Sequence, residues 1–317
     1  MFKCKMCYIR TLKNVPILAF TKIKEFIDSL ADLTQRKIEI NFTGGEVLLR
    51  NDISDLINVA HRHGIRTSLC TNGYLIDEKI AKRLVDSGLN GMVISLDSLK
   101  AETHDTLRGI TGSYDKIMQA LDYLGKFASE EFKISIQALI TGLNLDSIVE
   151  LANWVQRNGK ISGISYMAIT EPLYIPDGTD WYKKDPYKSL WPQDIGEVNA
   201  AIDELIRLKA QGGPSKIINL VSQLKAFKSY FEDPERFLKK ISCGLGLYAL
   251  NVNYTGDVSP CFSLGTIGNI YEENIKDMWY SKRAEELREK MKRCRNNCNY
   301  LVNCYKEETY DESELRL

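Results

Sequence analysis

Between about residues 21 and 169, two apolar rhythms alternate along the chain. Stretches 22–33, 53–63, 77–87, 114–127 and 145–157 carry apolar side chains at the three-to-four spacing of an amphipathic helix. Each leads into a short apolar run, at 38–42, 66–70, 91–96, 133–140 and 161–169, that reads as a strand. Helices and strands alternating in this way predict βα units on a parallel sheet. Gly64, Gly88 and Gly159 fall where helices should stop and are read as C-terminal caps. The chain opens in what reads as a loop followed by a helix, so a first strand is expected upstream of Met1.

The rhythm breaks at 170–192, a segment with four of the eight prolines and the five aromatics Tyr174, Trp181, Tyr182, Tyr187 and Trp191. Helical regions are predicted at 193–209 and 215–240. Beyond Cys243 the pattern shortens: 248–253 and 258–260, around Thr255-Gly256-Asp257, read as a β-hairpin. A helix at 275–292 then leads into a cysteine-rich tail.

Composition narrows the classes. Lys+Arg and Asp+Glu are both 42, a formal net charge of zero, which argues against a partner gripped through nucleic-acid phosphates. No apolar run approaches the roughly 18 residues of a membrane span, and the basic start is followed by too short an apolar run for a secretory signal. A cytoplasmic chain of 317 residues, long enough to bury a core unaided, is expected. Against that background eight cysteines stand out: Cys4, Cys7, Cys70, Cys243, Cys261, Cys294, Cys298 and Cys304. In a reducing compartment, spaced cysteines serve as metal ligands or catalysts more often than as disulfides.

Cys4-Lys5-Met6-Cys7 is a CxxC, whose thiolates either share a metal or cycle as a redox pair. Thr43-Gly44-Gly45-Glu46 follows the first strand read, Thr71-Asn72-Gly73 follows the second, and Ser95 and Asp97 end the third. C-terminal strand ends are where parallel α/β folds bind ligands, and paired glycines admit a polar ligand close to the backbone. A lone Gly-Gly is more often a tight turn, but three polar strand ends in register point to one site. Cys70, inside its strand, is read as a packing residue.

In order, Cys4-x-x-Cys7-Tyr8, GGE at 44–46, TNG at 71–73, Ser95-Leu96-Asp97 and His104-Asp105-x-x-Arg108-Gly109 resemble the radical S-adenosylmethionine (radical SAM) enzymes. The resemblance implies an α/β fold, a partial (βα)6 TIM-like barrel, with a small C-terminal cysteine-rich α+β extension. It implies a [4Fe–4S] cluster on three cysteines of a C-x3-C-x2-C loop, the fourth iron being left for S-adenosylmethionine, whose reductive cleavage gives a 5′-deoxyadenosyl radical that abstracts hydrogen from a substrate. Carried over residue by residue, Cys4 and Cys7 are cluster ligands. Gly44, Gly45 and Glu46 meet the methionine amino group, and Thr71 and Asn72 border the cofactor. Ser95, Asp97 and Arg108 contact ribose or carboxylate, and Tyr8 lies near adenine. The pattern's first cysteine falls four residues before Cys4, ahead of Met1. The expectation is therefore a sequence trimmed at its start; the alternative is a degenerate, non-catalytic iron–sulfur or zinc-binding protein on the same fold.

The tail resembles the SPASM extension of these enzymes: Cys243, twelve residues, Gly256, four residues, Cys261, then Cys294-x3-Cys298-x5-Cys304. That resemblance implies one auxiliary [4Fe–4S] cluster drawing on Cys243, Cys261, Cys294, Cys298 and Cys304, with a structural zinc ion as the other chemistry four thiolates suit. The expected organisation is a barrel core at 1–170, an aromatic loop and linking helices at 171–242, and the auxiliary domain at 243–317. The 170–192 aromatics either line a substrate groove at the barrel mouth or pack as a linker. The family implies a peptide or protein substrate, or else a small metabolite, and a reductant such as a flavodoxin or ferredoxin. Neither a nucleic acid nor a membrane is expected as partner.

Overall fold

The computed structural model describes residues 3–7, 15–33, 37–171, 180–211, 214–234, 245–261, 263–294 and 302–303. Helix α1 (Phe20–Ala31) precedes four helix-linked strand steps: β1 (Glu39–Phe42), α2 (Ile53–Arg62), β2 (Arg66–Thr71), α3 (Glu78–Asp86), β3 (Gly91–Ser95), α4 (Ala101–Arg108), α5 (Ser113–Gly125), β4 (Lys133–Ile140), α6 (Ile148–Arg157) and β5 (Gly163–Ala168). The five strands form one open parallel sheet in sequential order, as in a partial βα barrel. Gly64 and Gly88 adopt φ of +69° and +89° and cap their helices as predicted. Gly159 also follows its helix's C-cap, Asn158, but it is Asn158, with an extended backbone and a side-chain bond to the Lys160 N–H, that ends α6 there. Helix α4 was not predicted, because its polar run AETHDTLR lacks an apolar stripe.

Side chains alternate across the strands. Leu69, Met92, Ile94, Ile134, Ile136, Ile164 and Tyr166 face the helices and are buried in the main core. The opposite face carries Ser68, Cys70, Ser95, Ser135, Gln137 and Ser165, interleaved with Val93, Leu139 and Met167, all half-buried. Cys70 is thus not a core residue; its Sγ lies 3.5 Å from Asn41 Oδ1 on this polar face, and burial pushes its thiol pKa up. A complete βα barrel fills this face with bulky aliphatics. Here small hydroxyls alternate with such aliphatics, Val93, Leu139 and Met167.

Residues 215–220, predicted as helix, instead run along the free edge of β5. Ile164 donates to Lys216 O and accepts from Ile218 N–H, each at 2.8 Å. Further along the same edge a side chain takes over: Asn219 accepts from Tyr166 N–H at 2.6 Å and donates to Tyr166 O at 2.8 Å. Asn303 repeats the arrangement on Ala168, at 2.7 and 3.0 Å. Helices α7 (Ile195–Ala210) and α8 (Val221–Glu232) pack behind.

The aromatic segment is a packed linker. Trp181, Tyr187 and Trp191 are buried in the main core, and Trp191 meets Trp181, Tyr230 and Phe231 edge-to-face with ring centres 5.1–5.7 Å apart. Tyr182 tilts against Trp191 at 4.6 Å. The groove-lining alternative is overturned for Trp181, Tyr187 and Trp191; Tyr182 is half-buried, and Tyr174 lies outside the described residues.

In the extension, β6 (Asn251–Val252), β7 (Asp257–Ser259) and β8 (Gly268–Asn269) form an antiparallel sheet, the predicted hairpin plus a third strand. Gly256 sits in its turn at φ +89°, where a Cβ would come within 2.9 Å of the Tyr271 ring. The helix predicted at 275–292 is two, α9 (Ile275–Trp279) and α10 (Lys282–Lys292), because Ser281 Oγ caps the second by accepting from Ala284 N–H at 3.1 Å. The extension packs on the barrel's first helices. Ile27 and Leu30 of α1, with Leu56, Val59 and Ala60 of α2, share one cluster with Val258, Ile267, Ile275, Met278 and Leu287.

Candidate functional site

The ends of β1 and β2 are tied by Glu46. Its Oε1 accepts from Leu48 N–H at 3.0 Å and Thr71 Oγ1 at 2.7 Å, and its Oε2 accepts from Asn72 N–H at 2.9 Å. A carboxylate offers about four acceptor positions, so one remains, on Oε2. Gly44 and Gly45 stand exposed beside it, and a Cβ on Gly44 would meet nothing within 4 Å. Thr71 Oγ1 also accepts from Gly73 N–H at 3.0 Å, which folds the TNG turn back onto its strand.

Beyond β3, Asp97 is fully buried: Oδ1 is hydrogen-bonded within the protein, while Oδ2 makes an ion pair with Arg108 and no hydrogen bond. Oδ2 lies 2.7 Å from Arg108 Nε, while Oδ1 accepts from Arg108 Nη2 at 2.9 Å and Leu139 N–H at 3.0 Å. Asn144, also buried, donates to Asp97 O and Leu139 O, so β3 and β4 are joined at their C-terminal ends. Asp97 therefore serves Arg108. Ser95 is half-buried on the polar face, opposite Gln137 in the register.

Arg108 lies near Cys4; burial pushes the Cys4 pKa up and the guanidinium opposes that rise. Cys4 and Cys7 share one tight turn, closed by Cys7 N–H donating to Cys4 O at 3.2 Å. The turn is docked on α4 by Lys5 N–H donating to Leu107 O at 3.0 Å. Gly109 makes the close approach possible: it sits at φ +69°, and a Cβ there would lie 2.6 Å from Lys3 O. The CxxC, the β3 end and the Arg108-Gly109 pair are thereby brought together. Tyr8 lies outside the described residues.

His104 holds this assembly from behind. Buried, its Nδ1 accepts from Asp97 N–H at 3.2 Å, which leaves the proton of the neutral ring on Nε2. Burial lowers its pKa from 6.5 to about 4. Between these values the unfolded chain binds a proton that the folded chain refuses, so stability is intact above pH 6.5 and falls as pH drops towards 4. The loss should approach about 3 kcal/mol. Urea midpoints taken across this range should show it. His104→Asn, which keeps an acceptor but cannot titrate, should flatten that step, and an unchanged slope would refute the assignment.

In the tail, Cys261 and Cys294 are half-buried. Cys261 Sγ accepts from Ser263 N–H at 3.4 Å. Cys243, Cys298 and Cys304 lie outside the described residues. Among the described residues no group of three or more His, Cys, Asp and Glu side chains converges on a metal position. No described helix is long and apolar enough to cross a membrane. Asn144, Asn219 and Asn303 escaped sequence reading; single carboxamides have no periodic signature.

Similarity to known proteins follows the same geography. The Radical SAM superfamily matches residues 1–155, and SPASM, an iron-sulfur cluster-binding domain, matches residues 243–305. Mycofactocin maturase MftC of Mycolicibacterium smegmatis is 32% identical over 300 residues, covering 90% of this chain and 69% of that protein. AdoMet-dependent heme synthase of Methanosarcina barkeri is 25% identical over 283 residues, covering 87% and 78%. The structure of anSMEcpe with bound AdoMet and Kp18Cys peptide shares the fold, with a TM-score of 0.67 at 21% identity over 95% of this chain and 84% of that one. The chain belongs to the radical SAM superfamily and carries a C-terminal SPASM iron–sulfur domain.

Proposed function

We propose that the chain is a maturase-type radical SAM enzyme acting on a peptide or protein. The observation that carries this is the convergence of the CxxC turn, Arg108 and the polar ends of β1–β3 at one end of the sheet. The donor chemistry fits: Cys4 and Cys7 are free thiols on one turn beside a guanidinium, and they supply two of the three thiolates of such a cluster. When bound, the cluster supplies the electron that cleaves S-adenosylmethionine to the 5′-deoxyadenosyl radical responsible for hydrogen abstraction.

The chain's own residues bind and orient. Gly44 and Gly45 open the backbone to the methionine end, and the spare acceptor of Glu46 takes one ammonium hydrogen. Arg108, fixed by Asp97, sets the Cys4 side of the site. The half-buried serines and Gln137 on the polar face have no side-chain partner among the described residues, which leaves them to meet the substrate and nearby ribose. One auxiliary [4Fe–4S] cluster draws on Cys243, Cys261 and two or three of Cys294, Cys298 and Cys304. A flavodoxin- or ferredoxin-type protein donates electrons in the cytoplasm.

The maturase name of one relative and the peptide in the anSMEcpe complex support a peptide substrate. A small metabolite is the second reading, favoured by the heme synthase relative. Anaerobic reconstitution with iron and sulfide counts, and 5′-deoxyadenosine assayed after dithionite, tests the proposal. About eight irons and nucleoside release are expected; about four irons with no release would establish the non-catalytic alternative.

A further inference from the structure

On the polar face of the sheet, side chains in parallel register form rows. One row runs Ser95, Gln137 and Ser165 across β3, β4 and β5. All are half-buried, and none has a side-chain hydrogen bond among the described residues. The adjoining rows are neutral: Val93 and Ser135 lie on the N-terminal side, Leu139 and Met167 on the C-terminal side. Towards the N-terminal end of β4 the first charge on this face is Lys133, paired with Glu130 at 2.9 Å. Towards the other end, Asp97 and Arg108 are paired with each other. The backbone that carries Gln137 is fixed on both sides of it. Gln137 O accepts from Leu96 N–H at 3.1 Å, and Leu139 N–H donates to Asp97 Oδ1 at 3.0 Å. Ser95, read above as a ribose contact, is its register partner one strand away, about 5 Å in a parallel sheet.

We propose that Gln137 is a specificity-determining residue of the substrate site: its carboxamide, with Ser165 beside it, holds a neutral carboxamide of the substrate, either a peptide-backbone amide or an Asn or Gln side chain. This rests on the reading of the chain as a radical SAM enzyme acting on a peptide or protein. The chemistry is matched. A carboxamide donates and accepts in one plane, so it pairs at two points with another carboxamide, and the Ser165 hydroxyl turns to serve whichever group is left. A carboxylate or ammonium placed here would lose hydration and find no unpaired counterion on the row or its neighbours, which costs more than one hydrogen bond returns. A group held one strand away from Ser95 lies beside the cofactor, so Gln137 selects which substrate residue is presented there.

The test follows the side-chain amide resonances of Gln137, assigned through the residue's own backbone, in the full chain reconstituted anaerobically. The probes are acetamide and its charged isosteres acetate and acetamidinium, with N-methylacetamide as the backbone analogue. One or both amides should shift the Gln137 signals saturably, with affinity at least about tenfold above either charged probe. Stronger binding of N-methylacetamide assigns the backbone amide, and a response to acetamide alone assigns an Asn or Gln side chain. Gln137→Glu, followed on the Ser165 backbone amide, should invert the order and favour acetamidinium over acetamide by about tenfold, a reversal that a merely structural role would not produce. No response to either amide, or equal affinity for the charged probes, overturns the proposal in the parent without recourse to any variant. Nucleoside release from the same preparation separates the two failures. Release without amide selectivity overturns the role of Gln137 alone, whereas no release overturns the enzymatic reading and this inference with it.

Discussion

Asp97→Ala should destabilise the protein by about 3–5 kcal/mol, the cost of removing one member of a buried ion pair. The carboxylate is fully buried and holds Arg108 at Nε and Nη2. Without it a guanidinium whose side chain is only 14% exposed keeps its charge and loses its counterion. Leu139 N–H is also orphaned. Asp97→Asn should cost less, since an amide oxygen still accepts from Leu139. Urea unfolding followed by far-UV circular dichroism measures both. An alanine variant within about 1 kcal/mol of the parent would mean that Arg108 is held by something else.

The second large effect is at Glu46. Glu46→Ala strips the acceptor from three donors at once, including the buried Thr71 hydroxyl, and separates the ends of β1 and β2. Unsatisfied donors cost about 1–3 kcal/mol each when buried; two of these three can turn to water, so a loss of about 2–4 kcal/mol is expected. Glu46→Gln separates fold from binding. Its amide oxygen keeps the Oε1 bonds to Leu48 and Thr71, so stability should largely return. Its NH2 group would face Asn72 N–H and offers an ammonium no acceptor. Calorimetric titration of the reconstituted protein with S-adenosylmethionine should then show affinity weakened more than about tenfold, the scale of a charged hydrogen bond. Full affinity in Glu46→Gln would remove Glu46 from the binding site.

The barrel was legible because burial on one side of each element imposes a period. Strand 133–140 emerges with the predicted limits, and the other four strands shift by at most two residues at either end. What escaped detection lacks a period or is set at long range. Helix α4 is polar almost throughout and is fixed by its surroundings: Leu107 and His104 are buried, and Asp105 accepts from Gly112 N–H, Ser113 Oγ and Tyr114 N–H. Residues 215–220 look helix-compatible locally but run along the β5 edge, which needs partners. The motif residues came together as a group, yet their tasks differ from what spacing suggested. Asp97, expected at a ligand, is consumed by Arg108, and Cys70, expected in the core, faces the polar side. A motif fixes which residues lie near one another; which atoms are already spent depends on partners such as Leu139 and Asn144, 42 and 47 residues away from Asp97.

The cluster shared by α1, α2 and the extension bears on inheritance as well as on shape. Ile27, Leu56 and Val59 are buried partly by Val258, Ile267 and Met278, side chains encoded some 200 codons later. Excising the cysteine-rich segment would therefore strip an oily patch on the barrel rather than free an independent module. Recombination at that boundary could succeed only with a replacement carrying a matching apolar face, so the two halves should be expected to evolve as a linked pair.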